Sequence, residues 1–350
     1  KDIHEVRIKK KKILEILNQF AIMIKAGVSL SICLQVLVSQ EKDRRLRKIL
    51  EQIQEDMYSG YTLSASMGKF KAFSEVIVSI ISSGEENGRL DIAFERAAKI
   101  LDNEVHVSSK LKSALAYPLF LLGLTIVVLI ILNIVVLPIF VDMFGQMGAD
   151  LPLITRVVMG LSNIMMRFWY LFILLIVILI AVFKYGRGNS DGFRLRTDKW
   201  IMNLPLLGKL LQKLYISRFC RVMSSLINAG VEIIYALNVS KNVVPNLYVR
   251  QYFDHVLDDV RVGIPINQSM SKYSVFDSLF TSMVRVGEES GMLYDVLDKM
   301  GELYEVQTED QTKLLTSLVE PIVTILIALV VGTVVISVVI PMFGQYSLML

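Results

Sequence analysis

Residues 83–90 read SGEENGRL and residues 286–293 read VGEESGML. Setting Gly84 on Gly287, a spacing of 203 (287 − 84), brings Glu85 onto Glu288, Glu86 onto Glu289, Gly88 onto Gly291 and Leu90 onto Leu293. The same spacing pairs Ala26-Gly27-Val28 with Ala229-Gly230-Val231, Leu34 with Leu237, Gly60 with Gly263, Met67 with Met270 and Phe73 with Phe276. It also pairs Pro118 with Pro321, and Pro138 and Phe140 with Pro341 and Phe343. The register holds without a gap from residue 20 to residue 146. A match that keeps one spacing through polar and apolar sequence alike marks an internal duplication.

Around this repeat the composition is uneven. Of the 350 residues 53% are hydrophobic, mean hydropathy is +0.53, and 20% are charged. The apolar excess is concentrated in three runs without a charge, 113–141, 168–183 and 321–350. A helix needs about 20 apolar residues to cross a hydrocarbon core of about 30 Å. The first and third runs exceed that. The second is shorter, but Arg167 and Lys184 flank it, and their long side chains can reach the headgroups. Trp169 and Tyr170 suit an interface. The sequence therefore predicts three transmembrane helices, at 119–141, 168–183 and 321–343.

Outside these runs the apolar residues follow helical spacing. Ile13, Leu17, Phe20 and Ile24 predict a helix over 11–26, broken at Ala26-Gly27-Val28-Ser29. A second helix reaches about Gln40, and a third carries Leu46, Leu50, Ile53 and Met57 and ends near Gly60. Thr62 and Ser74 are candidate N-caps of two short helices. After SGEENG, the positions Leu90, Phe94, Ala97, Leu101 and Val105 form one face of a segment with no breaker before Pro118, so it should run on into the first apolar span. No strand alternation is present. The fold class expected is all-α, a polytopic membrane protein with two tandem homologous helical bundles, 1–118 and 184–320, joined by the first crossing, an extracytoplasmic loop at 142–167 and the second crossing.

The unrepeated span at 168–183 returns the chain, so both copies lie on one side of the membrane. Lys110, Lys112, Lys184, Arg187, Arg194, Arg196 and Lys199 crowd that side, against Arg156 and Arg167 in the loop. By the positive-inside rule both bundles and the N-terminus are cytoplasmic and the C-terminus is extracytoplasmic. No secretory signal peptide is read, since Lys9–Lys12 precede an amphipathic stretch. The basic clusters at Lys9–Lys12 and Arg44–Lys48 give residues 1–112 a net charge of +4 (19 − 15). They read as solvated helix faces or as contacts to anionic lipid or an acidic partner. No motif supports nucleic-acid binding.

GxxxxGK[ST], GxSxG, HExxH and CxxC are all absent, and His4, His106 and His255 are scattered. Cys33 and Cys220 have no metal-ligand spacing. No catalytic residue, cofactor or metal is implied. The candidate site residues are those of the repeated turns: Gly84, Glu85, Glu86 and Gly88, with Gly287, Glu288, Glu289 and Gly291. The glutamates, near a helix N-terminus, read as a structural turn, as a partner contact, or least readily as a metal or acid–base pair. The glycines supply positive φ or close helix approach. The first apolar run carries one strongly polar residue, Asn133, and no Asp, Glu, Lys or Arg lies mid-span, which disfavours the alternative of a small transporter or channel built from parallel repeats.

These features together resemble the type II secretion F family, the platform proteins of type II secretion, type IV pilus and competence pseudopilus machines. The resemblance rests on the two AGV breaks, the two GEExGxL turns, Tyr117-Pro118, LPLIT at 151–155, NLPLLGK at 203–209 and the duplicated order. It implies a non-enzymatic protein of the bacterial cytoplasmic membrane that forms a homo-oligomer. Its implied partners are a hexameric assembly ATPase, pilin or pseudopilin subunits, other inner-membrane assembly proteins and membrane lipid. Glu320 precedes Pro321 where the first copy has Tyr117, a departure from the family pattern that leaves the subtype open.

Overall fold

The computed structural model describes residues 3–131 and 190–346, together with parts of 135–188. All regular structure among the described residues is helical. Six helices form a first bundle: α1 Lys10–Lys25, α2 Leu30–Gln40, α3 Arg44–Tyr58, α4 Leu63–Gly68, α5 Glu75–Glu86 and α6 Leu90–Ile131. A separate helix, α7 Asp191–Met202, follows, and then a second bundle: α8 Leu207–Asn228, α9 Ile233–Lys241, α10 Leu247–Arg261, α11 Ile266–Met270, α12 Ser278–Ser290 and α13 Leu293–Tyr346.

Five successive helices begin 203 residues apart: Leu30 and Ile233, Arg44 and Leu247, Leu63 and Ile266, Glu75 and Ser278, Leu90 and Leu293. The caps explain why the boundaries recur. Asp43 accepts from the Arg45 amide at 3.0 Å, and its counterpart Asn246 accepts from the Val249 amide at 2.9 Å. Ser74 accepts from the Ile77 amide at 3.5 Å, and its counterpart Asp277 from the Phe280 amide at 2.8 Å. Each side-chain oxygen satisfies an N–H that has no partner within its helix. Thr62 caps α4 through the Ala65 amide at 3.2 Å. Ser29 occupies the N-cap of α2 but makes no side-chain cap bond.

Equivalent positions of the two copies fill the core with different residues. In the first bundle Phe20 and Phe94 stack at 4.5 Å between ring centres; their counterparts are Met223 and Leu297. In the second bundle the aromatic pair is Phe219 and Phe253, 4.4 Å apart, where the first has Ile16 and Leu50. All eight side chains are buried. Large residues have moved from one layer to another with the helices kept in place, as cores allow when total volume is conserved.

Helix α7 lies at the start of the range expected for the second bundle, 184–320, but ahead of the part that the repeat covers. It lacks an apolar stripe, so periodicity does not reveal it. Asp198 holds it: this carboxylate is buried and accepts from the Leu247 amide at 2.7 Å, while Asn246 donates to the Asp198 carbonyl at 3.2 Å. The turn into α8 is tight. Leu206 has φ +68°, and the Leu207 amide donates to the Pro205 carbonyl at 2.8 Å, closing a three-residue turn.

Residues 3–110 and 195–310, which hold both bundles except the distal parts of α6 and α13, form one compact unit; the described residues of 111–194 and 311–346 group as a second. Helices α6 and α13 continue without a break through positions 118 and 321, as the lack of an earlier breaker predicts. Among the described residues no helix is long and apolar enough to cross a membrane. The expected loop at 142–167 lies outside the described residues, as do parts of the expected crossings at 119–141 and 168–183, Asn133, and most side chains from 329 onward.

Candidate functional site

The repeated GEExG turns close α5 and α12. The two glutamates of each pair sit at a helix C-terminal end, and there they part. Glu85 is half-buried and turns back onto α4: its carboxylate accepts from the Leu63 amide at 2.6 Å, from the Ser64 amide at 2.9 Å and from the Ser64 hydroxyl. Glu288 does the same to α11, accepting from the Ile266 amide at 2.6 Å and the Asn267 amide at 2.8 Å. The helix N-terminus these carboxylates meet therefore belongs to the short helix 22 residues earlier in the chain. That helix has six residues in the first bundle and five in the second. Helices this short do not hold themselves in water, because nucleation costs more than one turn returns. A carboxylate gripping two adjacent N–H groups fixes the turn and favours the dipole end it faces. Where the first copy adds Thr62 as a cap, the second has Pro265, which offers none, so Glu288 acts alone.

Glu86 and Glu289 are exposed. Glu86 receives a long hydrogen bond from Ser82 at 3.4 Å. The sequence could not separate the two acids of each pair; the fold does so by directing one to a helix end and the other to the surface.

The glycines also divide by task. Gly88 and Gly291 have φ +66° and +70°, the left-handed conformation that ends a helix. After α5, the Arg89 amide donates to the Gly84 carbonyl at 2.8 Å and completes the cap. Gly84 and Gly287 are buried where the next helix crosses close. A Cβ on Gly84 would stand 2.3 Å from the Ala93 Cβ, and one on Gly287 would stand 3.1 Å from the Leu293 Cα.

A second repeated cluster escaped the sequence reading. Asp56 accepts from the Ser66 hydroxyl at 2.6 Å and the Lys69 ammonium at 2.8 Å. Asp259 accepts from Ser269 at 2.6 Å and Lys272 at 2.7 Å. Each member is 203 residues from its counterpart, which is the signal that would have found the cluster. It ties α3 to the end of α4, and α10 to the end of α11. The lysine hydrogen bond, and then that of the serine, hold both carboxyls below the usual carboxylate range. Elsewhere, burial pushes the Cys220 and Cys33 thiols up, away from the thiolate form. The buried Tyr304 hydroxyl, which donates to Asp277 at 2.6 Å, is also pushed up by burial and by that bond. Among the described residues no group of three or more His, Cys, Asp or Glu could hold a metal ion.

The first of the repeated turns also lies beside the contact between the bundles. Ser83 donates to the Ala229 carbonyl at 2.6 Å, and Arg96 to the Asn228 carbonyl at 2.6 Å. The Ser79 and Tyr235 hydroxyls lie 3.4 Å apart, and Asn242 donates to Glu75 at 3.0 Å. Helix α5 of the first bundle thus rests on the α8–α9 corner of the second, the AGV break at 229–231. Lys110 and Glu309 add an ion pair between α6 and α13.

Comparison with known proteins gives the same pattern twice over. A family model described as type II secretion system, protein F, matches residues 16–138 and again 219–341, two matches 203 residues apart. A type IV pilus assembly protein PilC of Thermus thermophilus is 30% identical over 84% of this chain and 72% of its own length. A type IV pilus assembly protein TapC of Aeromonas hydrophila is 30% identical over 87% and 74%. A type II secretion system protein F of Vibrio cholerae is 28% identical over 82% and 71%.

Proposed function

This chain belongs to the type II secretion system protein F family, and from that premise we propose that it is a non-enzymatic assembly platform of the bacterial cytoplasmic membrane. In this reading it couples a cytoplasmic hexameric ATPase to the insertion of pilin or pseudopilin subunits into a type IV pilus or type II secretion-like filament. The observation that carries the reading is the double match to the family, over both copies of the repeat. Relatives bearing pilus-assembly and secretion names at similar identity support either machine.

A membrane setting is supported by apolar side chains that no protein covers. Leu119, Phe120, Leu124, Ile126 and Ile130 on α6 are exposed, as are Leu174, Leu175, Ile178 and Val182 in the next apolar run. Leaving such area in water costs about 25 cal/mol per Å², and hydrocarbon removes that cost. The reading places crossings at 119–141, 168–183 and 321–343, with both bundles on the cytoplasmic side. Helices α6 and α13, unbroken from the bundles into the apolar runs, suit a part that carries motion from a cytoplasmic motor toward the bilayer.

The test is capture of the tagged full-length protein from native membranes, probed for the cognate ATPase and major pilin. Recovery of both supports the platform. Solute flux through the protein in liposomes, with neither partner recovered, refutes it.

A further inference from the structure

The contact between the bundles is head-to-tail. Helix α5 of the first copy supplies one face, and the α8–α9 corner of the second copy supplies the other. Because the copies are alike, each half of this contact has an unused twin. The twin of α5 is α12, and the twin of the α8–α9 corner is the α1–α2 corner around Ala26-Gly27-Val28. Both twins are bare. Val76 and Ser83 on α5 are 5% and 8% exposed, whereas their counterparts Leu279 and Val286 on α12 are 47% and 52% exposed. Ser282, the counterpart of the buried Ser79, is exposed too. On the other twin, Ile22 is 69% and Ile32 52% exposed.

The substitutions on the two bare faces match each other. Within the chain the contact includes polar pairs: the Ser83 hydroxyl reaches a carbonyl, and the Ser79 hydroxyl meets that of Tyr235. On the bare faces Val286 replaces Ser83, Ile22 replaces Ser225 and Ile32 replaces Tyr235. Each face has gained apolar character at these positions, while Ser282 keeps the serine of Ser79 and Lys25 stands where Asn228 does. A surface that stays in water gains nothing from such changes, but two surfaces that meet do. Lys299 stands where Arg96 does, and within the chain it pairs with Glu302 at 3.1 Å.

We propose that the α12 face of one molecule docks on the α1–α2 corner of a second copy, repeating between chains the contact that joins the bundles within one. A contact of this kind uses different patches on its two sides, so it extends from copy to copy until it closes into a ring. The inference supplies the surface for the self-association expected of the proposed platform, and to that extent rests on that reading.

Two differently tagged full-length chains, one Ile22→Cys and one Val286→Cys, are co-expressed and oxidised in native membranes. The buried Cys33 and Cys220 keep the background low. The expected result is a disulfide-linked pair carrying both tags, absent when Glu55→Cys, on the exposed face of α3, replaces Ile22→Cys. A chain with both Ile22→Cys and Val286→Cys should give a ladder of multimers. Val286→Asp should lower the oligomer mass of the detergent-purified protein by at least half. A Val286–Val286 bridge without the Ile22–Val286 bridge would overturn the proposal in favour of a symmetric dimer. An unchanged mass in Val286→Asp, with a second protein bridged to Val286→Cys, would assign the face to another partner and overturn it as well. Capture of the ATPase and pilin, run alongside, separates failure of this interface from failure of the platform reading.

Discussion

Replacing Glu288 by Gln isolates the role of the repeated turn. The two carboxylate oxygens each accept one backbone N–H, from Ile266 and Asn267, at 2.6 and 2.8 Å. Glutamine keeps the shape and one acceptor, but places an NH₂ against the other N–H. One charge-assisted hydrogen bond is lost, worth about 1.5–3 kcal/mol, and a half-buried donor faces another donor. Pro265 supplies no side-chain cap that could compensate. The expected destabilisation is about 2–3 kcal/mol. Domains of this size shift by roughly 2–4 °C per kcal/mol, so the midpoint of thermal unfolding should fall by about 4–12 °C. The assay is thermal unfolding of the detergent-purified full-length protein, with amide hydrogen exchange followed over 266–270. Exchange there should quicken before the rest of the bundle opens. The control is Glu289→Gln, exposed and expected within about 0.5 kcal/mol of the parent. Equal shifts for the two variants, or none for Glu288→Gln, would refute the assignment of one acid to capping and the other to the surface.

Other expectations follow from the same geometry. Gly84→Ala should destabilise by about 1–3 kcal/mol and by more than Gly287→Ala, since the added methyl meets the Ala93 Cβ at 2.3 Å in one case and milder contacts from 3.1 Å in the other; paired thermal melts decide. Asp56 and Asp259 have folded-state pKa values below the unfolded value of about 3.9. Their contribution is therefore present above about pH 4 and lost as pH falls through the folded values. Stability against pH should flatten in that acid window in Asp56→Asn with Asp259→Asn, and an unchanged slope would argue against the link. Leu206→Gly should raise the thermal midpoint slightly, by up to about 1 kcal/mol of stability, because it relieves a positive φ while removing a side chain that is largely exposed; a lower midpoint would mean that side-chain packing outweighs backbone strain.

The helices and many of their ends were legible in the sequence because they rest on local rules. The positions Leu46, Leu50, Ile53 and Met57 fall on one helical face, and Thr62 and Ser74 accept from amides three residues on, as cap residues do. The unbroken run of α6 through position 118 follows from the absence of an earlier breaker. Helix α7 was not legible, because its polar sequence has no stripe and its anchor, Asp198, finds Leu247 49 residues away. The Asp56 and Asp259 clusters were present in the register of the repeat, but a spacing of ten residues to a serine and thirteen to a lysine suggests nothing until α3 and α4 are set side by side.

The sequence by itself determined the duplication, the helical class and the family, and singled out the GEExG turns, since identity at a fixed spacing and periodicity along a helix need no third dimension. Only the tertiary structure decided what each residue of those turns does. Glu85 and Glu86 are neighbours in the chain, but adjacent side chains on a helix point about 100° apart, so one meets the N-terminus of a helix 22 residues back and the other meets water. Tertiary structure likewise decided that equal copies have unequal surfaces. Val76 and Leu279 occupy the same place in their bundles, and one is covered while the other is bare because α5 meets the α8–α9 corner, whereas among the described residues nothing covers that face of α12.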